Sequence, residues 1–167
     1  NNYSEPAAPV TARLGITEKP VAETGGVVKF DICTVTIPEG ALSAPGRVVI
    51  EEFTAETVED PYAEPISPVY SFTLLDETGN EIAEDFDAPV TLSFSYADLA
   101  LPEDYNLGLL GIYWYNEEGG YWEKLEPAYF DFETGTISVS VCHFSEYQIK
   151  ASDFVSPSLE SYYEMGV

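Results

Sequence analysis

The sequence predicts an all-β chain, an antiparallel sandwich of about eight or more short strands, and three observations carry that prediction. Apolar and polar residues alternate along several runs. Val90, Leu92, Phe94 and Tyr96 share one face of such a run, and Ile137, Val139 and Val141 stand against Ser138 and Ser140 in another. Period two is the mark of a half-buried strand. Turn-forming clusters separate the runs at intervals of about 8–12 residues, as in sandwiches. No stretch sustains the 3.6-residue spacing of an amphipathic helix. With 167 residues, 45% of them apolar and 14% aromatic, the chain suits one domain with a packed core.

The elements follow in order. Residues 1–23 have the Pro, Ala, Glu and Thr content of a linker, yet Val10, Ala12, Leu14 and Ile16 alternate with Thr11, Arg13 and Gly15. A strand over 9–17 is therefore expected, paired either with its own sheet or with that of a neighbouring molecule. The body, 24–150, begins after Thr24-Gly25-Gly26. Residues 27–37 form a β-rich run that stops at the turn Pro38-Glu39-Gly40. Residues 47–53 are the next strand, and the Pro- and acid-rich stretch 56–68 is a long surface loop. A strand over 69–75 leads into Asp76-Glu77-Thr78-Gly79-Asn80, a hairpin turn whose Gly and Asn tolerate positive φ. Residues 89–96 form a strand and 98–103 a short helical turn. Strands 109–115 and 120–125 flank Asn116-Glu117-Glu118-Gly119, a second hairpin. Strands over 136–141 and 146–150 complete the body, and 151–167 is a C-terminal extension rich in Ser and Tyr.

Thirty Asp and Glu face six Lys and Arg, for a net charge of −24. Such a surface repels nucleic-acid phosphates and anionic lipid, so neither is an expected partner. It favours solubility, association with cations and a secreted or cell-surface setting. No apolar run approaches the roughly 20 residues of a membrane span, so membrane insertion is not expected. The sequence begins without Met and without a basic or apolar leader, consistent with a signal peptide removed or left out.

Three segments, taken in order, resemble the ZU5 domain family. The first is Gly25-Gly26 followed by Val35-Thr36-Ile37-Pro38-Glu39-Gly40-Ala41-Leu42. The second runs from Tyr70-Ser71-Phe72-Thr73-Leu74-Leu75-Asp76 through Gly79 to Pro89-Val90-Thr91-Leu92. The third is Tyr113-Trp114-Tyr115, then Trp122-Glu123-Lys124-Leu125, then His143-Phe144-Ser145. The match covers about residues 24–150. The resemblance implies a β-sandwich that serves larger surface or signalling proteins as an interaction or structural module. Some ZU5-like domains cut themselves within an H-F-S tripeptide.

His143-Phe144-Ser145 is the one triplet with the logic of a nucleophile and a base. The Ser145 hydroxyl lies next to the peptide bond that precedes it. Attack on the Phe144 carbonyl carbon closes a five-membered ring and moves the acyl group from nitrogen to oxygen. His143 would take the hydroxyl proton and later protonate the departing amine. The competing reading is architectural. His143 shares the inward parity of Ile137, Val139 and Val141, and so would be a hydrogen-bonded core residue, with Phe144 packing and Ser145 ending a strand.

The remaining candidates are weaker by chemistry. Asp76, Asn80, Glu81, Glu84, Asp85 and Asp87 crowd one turn region, and Glu56, Glu59, Asp60 and Glu64 crowd a loop. Their hard oxygens suit calcium, but no D-x-D-x-D-G loop with a closing Glu is present. No other cofactor is expected. Tyr113, Trp114, Tyr115, Tyr121, Trp122, Tyr129, Phe130 and Phe132 are dense enough for one face to stack on sugar rings, although core packing is their ordinary role. Cys33 and Cys142 form either one disulfide or two quiet thiols. One His, no G-x-S-x-G elbow and no Gly-rich phosphate loop argue against turnover of an external substrate. The expected role is thus a structural or interaction module, whose partners are other protein domains or copies of itself. Self-cleavage between Phe144 and Ser145 is the first alternative. The second is a fibre subunit that donates the strand carrying Val10, Ala12, Leu14 and Ile16.

Overall fold

The computed structural model describes residues 8–55, 63–101 and 103–152. Their strands are β1 (Val10–Val21), β2 (Gly26–Phe30), β3 (Cys33–Ile37), β4 (Gly46–Ala55), β5 (Ala63–Pro65), β6 (Val69–Asp76), β7 (Val90–Ser95), β8 (Leu110–Asn116), β9 (Tyr121–Lys124), β10 (Tyr129–Asp131), β11 (Thr136–Val141) and β12 (Glu146–Ser152). One sheet has the order β1-β4-β6-β12-β8-β9, with β5 also on β12; the other has the order β10-β11-β7-β3-β2. Every pairing in both is antiparallel. The all-β sandwich expected from the alternation is the observed fold.

The alternating residues make the core. Val90, Leu92, Phe94 and Tyr96 of the second sheet and Ile137, Val139 and Val141 beside them are all buried, facing Val48, Ile50, Tyr70, Phe72, Ile112, Tyr147 and Ile149 of the first. Each such side chain contributes about 1.5–3 kcal/mol through burial. The turn after β3 works as its residues suggest. Gly40 has φ 90°, the Ala41 amide donates to the Pro38 carbonyl, and Ala41 and Leu42 enter the core. Gly25, at φ 96°, lies so close to β3 that a Cβ there would stand 2.2 Å from the Ile37 carbonyl oxygen, which is why only glycine fits.

Several elements differ from the expectation. The run 27–37 is not one strand but the hairpin β2–β3, folded at Asp31, which takes φ 53°. Asp is among the few residues that tolerate this region. β1 continues to Val21, past Pro20, because an edge strand can accommodate a residue without an N–H. β5 lies inside the segment expected to be only loop, and β10 was not anticipated. Residues 97–99 form a non-helical turn, and a 3-10 turn sits at Leu107–Leu109 instead.

β1 pairs with β4 of its own sheet from Val10 to Val21, with register shifts near Arg13. Thr54 fills the irregularity, its Oγ1 accepting the Ala12 amide at 3.0 Å. Leu14 and Ile16, the apolar side of the expected half-buried strand, are exposed, while Gly15 turns inward against Phe30. Just before β1, Ala8 lies on the outer face of the sheet. Ala8 packs on Phe53 and Val69, and its amide reaches Glu146 Oε1 at 3.4 Å. Glu51, Ser71, Thr73, Gln148 and Lys150 on that side are buried as well. The three central strands β4, β6 and β12 therefore have little exposed surface on either face.

Candidate functional site

Residues 142–145 link β11 to β12 at one end of the sandwich. Four contacts seat this link. The Phe86 amide donates to the Cys142 carbonyl at 2.7 Å, and the Phe72 amide donates to the Ser145 carbonyl at 2.9 Å. The Tyr147 hydroxyl donates to the His143 carbonyl at 3.0 Å. The Phe144 ring wedges between Phe72 and Phe86, with centroids 5.7 and 4.9 Å away. The strand parity that ran through Val141 ends there, because Cys142 and His143 leave the ladder. His143 is accordingly exposed and rests edge-on against Trp114, not in the core as its parity implied.

The tripeptide borders an open cavity of about 260 Å³. Glu81, Glu84, Glu117 and Glu146 line it, together with Ser71, Thr73 and His143. Four carboxyl side chains against one imidazole make it a place for cationic rather than anionic groups. The reacting groups proposed from sequence are brought close, but in different roles. His143 Nδ1 lies 3.3 Å from the Phe144 carbonyl oxygen, where it can donate to that oxygen. The Ser145 hydroxyl points the other way and donates to Glu146 Oε2 at 3.4 Å. From the sequence, Glu146 reads only as the first residue of a strand. The signal available there was its adjacency to Ser145.

Other sequence candidates are separated. Asp76 spends its carboxylate on its own hairpin turn. It accepts from the Thr78 amide and hydroxyl at 2.9 and 2.6 Å and from the Asn80 amide at 2.9 Å. These bonds, the Thr78 hydroxyl foremost, hold its pKa below the usual carboxylate value. Glu81 and Glu84 both border the cavity, and Asp85 and Asp87 are exposed. Among the described residues no group of three or more His, Cys, Asp or Glu is placed to hold a metal ion. Glu64 lies on β5, and Glu56, Glu59 and Asp60 fall outside the described residues. Cys33 is buried and Cys142 exposed, and both are free thiols, so the disulfide alternative does not hold. Of the aromatic set, Tyr121, Tyr129 and Phe132 are exposed. Tyr113 and Trp122 instead flank the Lys150 ammonium, 5.4 and 5.1 Å from their centroids. No described helix is long and apolar enough to cross a membrane.

A second cluster was not foreseen. Glu52 on β4 points inward, beside Tyr70 on β6 and opposite Gly15 on β1. The Tyr70 hydroxyl donates to Asp31 Oδ2 at 2.6 Å, and the Glu52 carboxyl shares a hydrogen bond with Asp31. Burial and the Asp31 carboxylate raise Glu52 to about 7, while the bonds from Glu52 and Tyr70 lower Asp31. The Cys33 thiol next to them is pushed up, by burial first and then by the two carboxyl groups.

Compared with known proteins, the sequence matches no family model and no curated protein.

Proposed function

We propose that this chain is a secreted or cell-surface structural and interaction module of ZU5-like type, which holds its place among other protein domains and turns over no external substrate. The single observation that carries this reading is the seating of Phe144. Its ring is held between Phe72 and Phe86, while the carbonyls on either side accept bonds from Phe72 and Tyr147. Residues 142–145 thereby act as a plug that locks the last strand, β12, into the sandwich. The acidity of the chain and the ordered ZU5-like motifs support the setting and the class.

One observation favours a second reading, self-cleavage between Phe144 and Ser145. His143 Nδ1 faces the carbonyl oxygen on which negative charge would develop, and Glu146 accepts the hydroxyl proton. His143 would then stabilise the oxyanion, with Glu146 as the base. Glu146 would take the hydroxyl proton as the Ser145 Oγ–Phe144 carbon bond forms, and would return it to the Ser145 nitrogen as the peptide C–N bond breaks, leaving an ester and a free amine. Water would then release the ester.

Mass measurement of the purified chain under denaturing conditions separates the two. The structural reading predicts one species near 18.4 kDa after prolonged incubation. Fragments ending at Phe144 and beginning at Ser145, abolished by Ser145→Ala, would replace it with the self-cleaving one.

A further inference from the structure

The Asp31–Glu52–Tyr70 cluster joins the two sheets at one end, and nothing in the proposed role uses it. Asp31 sits on the β2–β3 turn of the second sheet, whereas Glu52 and Tyr70 belong to the first. Tyr70 is fully buried, so its hydroxyl is fixed in place. Two carboxyl groups can share one hydrogen bond only while one of them keeps its proton. Three further elements face the pair. Tyr70 from β6 donates to Asp31, and the Cys33 thiol from β3 stands close by. Across from Glu52, β1 contributes Gly15, which brings no charge. Among the described residues no lysine or arginine forms an ion pair with either carboxyl.

We propose that Asp31, Glu52 and Tyr70 form a proton-operated clasp: one proton shared by the two carboxyl groups fastens the β2–β3 turn to the seven-stranded sheet, and its loss releases the turn and uncovers Cys33. The sign follows from the direction of the change. Glu52 holds its proton more tightly in the closed form, at about 7 against an ordinary 4.5. The stabilisation is complete below the ordinary value and is lost as the pH rises through about 7. The closed form thus belongs to mildly acidic surroundings, and neutral to alkaline ones loosen it.

The two free thiols supply the measurement. Cys142 is exposed and serves as an internal reference, while Cys33 is 1% exposed and reacts only through opening. The intact protein is pulsed with a maleimide at pH 6 and pH 8, and the labelled peptides are quantified by mass spectrometry. The clasp predicts that the Cys33-to-Cys142 labelling ratio rises about tenfold between these values. Glu52→Gln, which keeps a donor and removes the charge, should flatten that rise. A constant ratio in the wild type, or the same rise in Glu52→Gln, overturns the proposal. Should the variant fail to fold, the carbon resonance of the Glu52 carboxyl in the wild type decides. Titration near pH 7 sustains the clasp, and titration near 4.5 overturns it.

Discussion

Ser67 shows how much one side chain can carry in this fold. β12 pairs with β6 at Glu146 and Tyr147 and with β5 from Lys150 onward, which leaves a gap in the ladder between them. Ser67 closes the gap. Its Oγ accepts the Ile149 amide at 2.9 Å, and its carbonyl accepts the Gln148 side chain at 2.9 Å. Ser67→Ala strands the buried Ile149 N–H, so a loss of about 1–3 kcal/mol is expected, measured as a lower denaturant midpoint with an unchanged slope. No sequence pattern announces this role, because Ser67 lies in a Pro-rich stretch that resembles ordinary loop. Asp31 was hidden for a related reason. It stands in the middle of a β-rich run, and one residue at positive φ suffices to turn that run into a hairpin. Alternation, in contrast, was fully legible at Val90 to Tyr96 and Ile137 to Val141. There each side chain's fate depends only on which face of the strand it occupies.

At the scale of elements, β1 and the 142–145 link deserve comparison. Both were singled out in the sequence, and both are tied to the chain's own sheets. The alternation of Val10, Ala12, Leu14 and Ile16 marked a strand correctly but suggested the wrong buried face. The irregular register near Arg13 and the inward Gly15 leave Leu14 and Ile16 outside. The link holds β12 through Phe144, and that predicts an uneven response to mutation. Phe144→Ala removes a half-buried ring from an aromatic cluster, and a loss of about 1–3 kcal/mol is expected. Ser145→Ala gives up only a 3.4 Å bond to Glu146, and its effect should stay within about 1 kcal/mol. Equilibrium denaturation of the two variants checks the contrast. Equal losses would mean that the tripeptide does not act as a plug. The displacement of His143 to the surface was not legible, because parity holds only while a strand continues, and β11 ends at Val141.

In the whole molecule the two sheets close on themselves within one chain, with β1 completing its own sheet against β4. The net charge of −24 gives each copy a reason to repel another and works against association through the outer edge of β1. This is where the module and the fibre part company, since a donated strand would be ordered only in the company of a neighbour. Amide hydrogen exchange across β1, followed over a wide range of protein concentration, reads the difference directly. Protection of the β1 amides is expected to be the same in dilute and concentrated solution. Protection that appears only as the concentration rises, while β6 and β12 stay protected throughout, would contradict it.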